Sequence, residues 1–358
     1  MIRTRGFSLV ELMVAITLAL VVTAGVISVF VGSRSAFEST SGTAALTDGG
    51  RFALDFISNS VRGAGFMSCT TAPNIQGILN TGVTPMPYAF ATALGGYEAN
   101  NTGIGQAYAV PLPPVAGDGN NGHWVGGLDG ALTGFPVQNN DVLVVRSSIK
   151  NSQTVYVSAI ADGTSSFTVN TQGSLLNGQI AVISDCSKGV VFQINNLSPA
   201  AQPVVTHNAG GASPGNNNAV FPLSFSAGAQ VTPVDTLVYF IAPGADGDSA
   251  LWVYDIDGSN SPPSELVPDI EAMQILYGLD SAPPTQTVSN YVTANQVADF
   301  NTVLSVKVAV LAASAPGSAN LPAAGRTFNL LGTTVTAPID TRSRQVFQET
   351  IAVRNALP

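Results

Sequence analysis

Three residues near the front of the chain, in "RTRGFSLVELMVAI", have types and spacing that could do chemistry: Gly6, Phe7 and Glu11. Cutting the bond after Gly6 frees an amine on Phe7, one helical turn ahead of the Glu11 carboxylate. A carboxylate at the lip of an apolar helix is costly without a partner, about 2.5–3.5 kcal/mol at mid-bilayer on insertion scales. In a bundle of such helices, the acid of one could neutralise the amine of its neighbour and fix the register. The plainer role for Glu11 is an acid at a helix start, where the N-terminal dipole favours it. Gly6 is the small residue at a natural boundary, and it precedes the apolar run. A secretory signal has the opposite order, a shorter apolar stretch and then a small-residue cleavage site. The order here implies trimming from the front, with the hydrophobic helix retained.

The remaining candidates are sparse. Cys69 and Cys186 are the two cysteines, so no C-x-x-C zinc or redox motif exists. Outside a reducing compartment two cysteines most simply form one disulfide, and the alternative is two separate buried thiols. His123 and His207 sit in Gly/Asn-rich stretches without ligand spacing, which reads as two solvated loop residues. No H-E-x-x-H, G-x-S-x-G, P-loop or G-x-G-x-x-G occurs, so catalytic residues, cofactor and enzyme activity have nothing to rest on. In the stretch "ADGDSALWVYDIDGSN", Asp255, Asp257 and Ser259 have the alternate spacing of a calcium loop. From Asp255, Asn260 stands where glycine is needed and Leu266 where glutamate is needed, so Asp-Gly turns explain it without a metal. The formal charge is −9, and Arg146 is the one base between Met67 and Ile149, against Glu98, Asp118, Asp129 and Asp141. A general nucleic-acid-binding face is therefore not expected.

These residues need elements to position them. Leu12 to Ser33 carries no charge over 22 residues, enough to cross a bilayer, with Arg3 and Arg5 on the cytoplasmic side. In "RFALDFISNSVRGAGF" the apolar Phe52, Phe56, Ile57 and Val61 predict one face of an amphipathic helix ending near Gly63–Gly65. Gly49 and Gly50 predict a bend or loosening between the two halves. From Met67 the pattern turns strand-like. "TVYVSAIADGTSSFTVN" reads as a hairpin around Asp162-Gly163, and "GQIAVIS", "GVVFQI", "DTLVYFIA", "ALWVYD" and "VFQETIAVR" as further strands. In "VLSVKVAVLA" the alternation of Leu304, Val306, Val308 and Val310 with Ser305, Lys307 and Ala309 predicts a half-buried strand. Residues 70–136 and 206–218 read as mostly loop. Charged residues are 10% of the chain, against about 25% in an ordinary soluble domain, which suits a secreted or surface-exposed protein.

"RGFSLVELMVAI" resembles the type III leader of type IV prepilins. "GGRFALDFISNSVRGAGFMSC", "ISDCSKGVVFQI", "ELVPDIEAMQILYGLD" and "RQVFQETIAVRN" are similar to stretches of PilW-type minor pilins. The resemblance implies an α+β, pilin-like lollipop: a leader over 1–6, a membrane-spanning and then amphipathic helix over 7–66, and a β-rich periplasmic or extracellular head over 67–358. It implies cleavage between Gly6 and Phe7 by a prepilin peptidase, N-methylation of Phe7, and an assembly role for Glu11. It also favours pairing of Cys69 with Cys186. The implied function is a minor pilin incorporated into, or priming, a type IV pilus. Its partners would be other pilins and minor pilins through the helix, and the inner membrane before assembly. A type II secretion pseudopilin would carry the same leader, and a membrane-anchored surface binding protein or adhesin would use the helix only as an anchor.

Mature protein is expected to begin at Phe7. Mass analysis of the N-terminus finding Met1 intact, or a cut beyond the helix, would sink the pilin reading. Gly6→Ala should slow cleavage mildly, and a bulky residue there should block it.

Overall fold

The computed structural model describes residues 8–80, 86–114, 122–211, 213–257, 261–280, 286–322 and 324–356. Its dominant element is one α-helix, Leu9–Gly63, of 55 residues, or about 80 Å at 1.5 Å per residue. Ser8 caps its start. The chain leaves at Ala64, whose N–H reaches the Val61 carbonyl at 3.1 Å, and turns through Gly65 with φ +76°.

Every residue from Leu9 to Ser41 is exposed, and burial begins at Gly42. The helix is continuous through Gly49 and Gly50, so the expected bend is absent. Gly50, and Gly42 two turns before it, are small for a different reason. A Cβ at Gly50 would overlap the Phe347 ring, and one at Gly42 would overlap the Ser318 side chain. The helix backbone therefore lies directly on the head. The buried stripe is Leu46, Gly50, Ala53, Leu54, Ile57 and Val61. Phe52 and Phe56 stay 59% and 43% exposed. They stand on the flank of that stripe, not on the same face as Ile57 and Val61 as the sequence pattern predicts.

The head is β-rich. Its largest sheet has twelve strands organised on the long strand Gln230–Pro243. The first residues of that strand pair with Ile180–Ser184 and Val155–Ile160, and the later ones with Val142–Ser148 and Ser249–Ile256. Pro233, which has no N–H to give, stands where the partner changes from Ile180–Ser184 to Val142–Ser148. The hairpin around Gly163 (φ +78°) forms from Val155–Ile160 and Ser166–Val169. A four-stranded antiparallel sheet runs in the order Asn290–Val292, Ile270–Leu279, Val303–Ala313, Arg344–Ala352. A third sheet combines Thr327–Leu330, Thr333–Thr336 and Ala107–Ala109.

The main core lies between the helix, the large sheet and the four-stranded sheet. Leu54, Ile57 and Val61 meet Val145, Tyr239, Ile275 and Val308 there. Strand Val303–Ala313 is buried on both faces, not half-buried as its alternation predicts. Val306, Val308 and Val310 face this core, while Ala309 and Leu311 are covered by Val110, Leu330 and Val335 of the three-stranded layer. Toward its C-terminal end the second face changes from Ser305 and Lys307 to the apolar Ala309 and Leu311, which this layer buries.

Cys69 and Cys186 form a disulfide with Cα atoms 4.7 Å apart. It joins the segment just past the helix to the turn after Ile180–Ser184. The sequence separation is 117 residues, a loop for which the chain-entropy account gives about 4–5 kcal/mol.

Gly50→Val should lower the melting temperature of the detergent-solubilised protein, with a loss of about 1–3 kcal/mol as Phe347 is forced aside. An unchanged melt would show that the helix is not seated as tightly as described.

Candidate functional site

The site is the helix and its seat. At the start, Ser8 and Glu11 form a capping box: the Ser8 N–H donates to the Glu11 carboxylate at 3.0 Å, and the Glu11 N–H to Ser8 Oγ at 3.2 Å. Each satisfies a donor that the helix itself leaves open. Gly6 and Phe7 lie outside the described residues. One Glu11 carboxylate oxygen is thus engaged within its own chain, and the other, Oε1, is not used by the box.

Along the exposed helix the hydroxyls turn inward on the backbone. Thr17 donates to the Val14 carbonyl at 2.9 Å and Thr23 to the Ala19 carbonyl at 2.7 Å. A polar group satisfied this way does not demand water, which suits surroundings of lipid or other helices. The uncharged run ends at Arg34, paired with Glu38 at 2.9 Å. This helix is long and apolar enough to cross a membrane.

Where the helix meets the head, polar contacts flank the apolar stripe. Ser60 Oγ and Tyr239 Oη lie 2.7 Å apart, and the Glu349 carboxylate accepts from Ser58 at 3.1 Å and Arg62 at 3.0 Å. On the other flank Phe52 and Phe56 overhang an apolar cleft of 490 Å³ against Val267, Ile270 and Ala313.

The acidic loops hold their own cation. Asp246, Asp248 and Asp269 bring carboxylate oxygens within 4.8 Å of one another. The Arg342 guanidinium bonds Asp248 and, at 3.0 Å, Asp269. Next to it Arg344, nearly buried, binds Glu271 at 2.6 and 2.8 Å and Asp340 at 2.6 and 2.7 Å. The sequence gives little sign of this ladder, because its members are spread from 248 to 344. Of the acidic stretch with calcium-loop spacing, Asp255 lies on strand Ser249–Ile256 opposite Leu237 and Asp257 just beyond it. Gly258 to Asn260 lie outside the described residues.

His207 is not a solvated loop residue. It is fully buried and stacked on Phe221, with centroids 3.9 Å apart and planes at 10°. Neither ring nitrogen has a hydrogen-bond partner among the described residues, and burial lowers its pKa to about 4. The aromatic neighbours Phe167, Phe192 and Phe221 are contributed by three separate segments, so nothing local announces the burial. His123 is half-buried, edge-on to Trp124 at 6.1 Å. Buried carboxyls were also hidden in the sequence. Asp141 accepts from the Ala99 N–H at 3.0 Å and the Ile275 N–H at 2.8 Å, tying the two main sheets together. Burial pushes the neighbouring Glu98 up to about 7 and Asp141 well above the usual carboxylate range. Asp235, buried with Oδ1 unpartnered among the described residues, is raised to about 7, by burial first and then by Asp255 and Asp257.

Comparison with known proteins agrees with this arrangement at both ends of the chain. Residues 1–27 match the prokaryotic N-terminal methylation motif, and residues 238–355 match the family described as type IV pilus-assembly protein W. No curated protein matches. A solved type IV-like pilin from Thermus thermophilus is similar over 51% of this chain and 86% of its own, at 17% identity and a TM-score of 0.23. The motif on the exposed helix and the C-terminal match together support a PilW-like type IV pilin, and they indicate a minor pilin in pilus assembly.

Buried acids with raised pKa values hold more protons in the folded head than in the unfolded chain. Stability should therefore fall as pH rises from about 4 to about 7 and then level off. Asp235→Asn, neutral throughout, should match wild type only below about pH 4, where the unfolded-state carboxyl is itself protonated, and exceed it at pH 8 by about 2–4 kcal/mol. Melting curves of the two proteins across that range check this, and parallel curves would refute it.

Proposed function

We propose that this chain is processed after Gly6, N-methylated at Phe7, and inserted as a structural subunit into a type IV pilus or the complex that primes one. Residues 1–6 are the leader, the segment 7–66 carries assembly, and the head 67–358 stands on the periplasmic side of the inner membrane before assembly. The observation that supports this best is the run Leu9–Ser41, apolar over most of its length, wholly exposed, and continuous with the part of the helix that carries the head. Leaving so much apolar surface in water costs about 25 cal/mol per Å². Lipid removes that cost before assembly, and a bundle of like helices removes it afterwards. A prepilin peptidase would act at Gly6–Phe7, and other pilins would be the helix's later neighbours.

Glu11 has two jobs in this account. Within its own chain it caps the helix. In the bundle its charge neutralises the Phe7 amine of an adjacent subunit, where an unpaired partner would cost about 3–5 kcal/mol. Glu11→Gln separates the two, because glutamine at the third helical position still completes the capping box. Processing and membrane insertion of the variant should be normal, and its abundance in sheared pili should fall sharply. Immunoblots of cell fractions beside sheared filaments read this out. Recovery of the variant in filaments at wild-type level would remove the charge from the account.

A further inference from the structure

The C-terminal strand Arg344–Ala352 is the outer strand of the four-stranded sheet, and it is open. All nine residues pair with Val303–Ala313 in a register without a shift. Beyond that pairing, the backbone of residues 344–352 has no hydrogen-bond partner among the described residues. The other sheet edges among the described residues are short, two to five residues. The longest of them, Ser264–Pro268, is preceded by Pro262 and Pro263, ends in proline and pairs through a bulge. Prolines, bulges and short length are how sheets blunt their edges. The C-terminal strand has none of the three.

Its charges do not guard it either. Arg344 is held by Glu271 and Asp340, and Glu349 by Ser58 and Arg62. The exposed side chains are Gln345, Gln348, Thr350 and Ala352, all uncharged. A nine-residue edge on which every second residue turns its amide and carbonyl outward, bordered by neutral side chains, matches the chemistry of an incoming extended segment.

We propose that this edge receives an extended, uncharged segment from the head of a neighbouring pilin, which adds a fifth strand to the sheet. The proposal rests on the pilus reading above. The occupant follows from continuity: this is the strand on which the helix lies, through Phe347 under Gly50 and Glu349 against Ser58 and Arg62. A neighbour brought in along the helix arrives beside this edge. Open assemblies are built from heterologous contacts, so the edge meets a different surface of that neighbour, not the same edge of another copy.

The test uses full-length protein in piliated cells. Gln348→Lys with Thr350→Lys places two charges on the edge, on the face of the strand opposite Phe347 and Glu349 and so away from the helix seat. The double variant should be processed and inserted like wild type, and its recovery in sheared pili should fall about tenfold, the effect of about 1.4 kcal/mol of lost pairing. Hydrogen exchange on wild type gives a second reading, valid even if the variant fails to accumulate. Amides of residues 345–352 should exchange more slowly in sheared pili than in detergent-solubilised subunits. Equal recovery of the variant, or equal exchange in the two states, would overturn the edge proposal and leave the pilus reading standing. Absence of wild type from pili would bring down both.

Discussion

A single helix has to satisfy two different surroundings without a break, and the head is arranged around that demand. Up to Ser41 none of the described residues covers it. From Gly42 onward the head covers one stripe, and the contact is close because two positions carry no side chain. Glycine in mid-helix costs about 1 kcal/mol in propensity. Here that loss is offset by bringing the helix backbone onto Phe347 and Ser318. A rigid seat of this kind lets a membrane-length rod hold a head of nearly three hundred residues in a fixed orientation.

Behind the seat the head is fastened by charge as much as by apolar packing. Arg342 and Arg344, from the segment leading into the C-terminal strand, reach Asp248 and Asp269 at the rim of the large sheet and Glu271 on the small one. Asp141 makes a similar link by accepting two backbone N–H groups from different elements. Such groups are costly to bury and become more so when one partner is lost, since the remaining charge has no water to turn to. The two sheets are thereby held in one relative placement.

What could be read from the sequence was whatever is encoded locally. The uncharged run, the helical continuation, the strands and the Asp162-Gly163 hairpin all follow from neighbouring residues, and the structure has them. The failures share one cause, which is burial decided by distant segments. Phe52 and Phe56 fit a helical period with Ile57 and Val61, yet the head is wide enough to cover only one side of that arc. Strand Val303–Ala313 alternates like a surface strand, but a layer built from Val110 and the strand before it, together with residues after 326, covers its second face. His207 looks solvated among glycines and asparagines until Phe167, Phe192 and Phe221 close around it. Of the candidate site, Glu11 was legible as an acid at a helix start, while its exchange of hydrogen bonds with Ser8 needed coordinates.

The disulfide also determines how tension would travel. Along the covalent chain, a pull on the helix passes its end at Gly63 and reaches Cys69 a few residues later. From there the covalent shortcut runs straight to Cys186, at the turn leading into strand Gly189–Gln193. The loops of the intervening chain and its hairpin around Gly163 lie outside that line of force, while its strands Val142–Ser148 and Ile180–Ser184 stay bonded to Gln230–Pro243. Load passes also to the later strands, which include the arginine ladder and the sheet that seats the helix. The most irregular part of the head is mechanically a side branch.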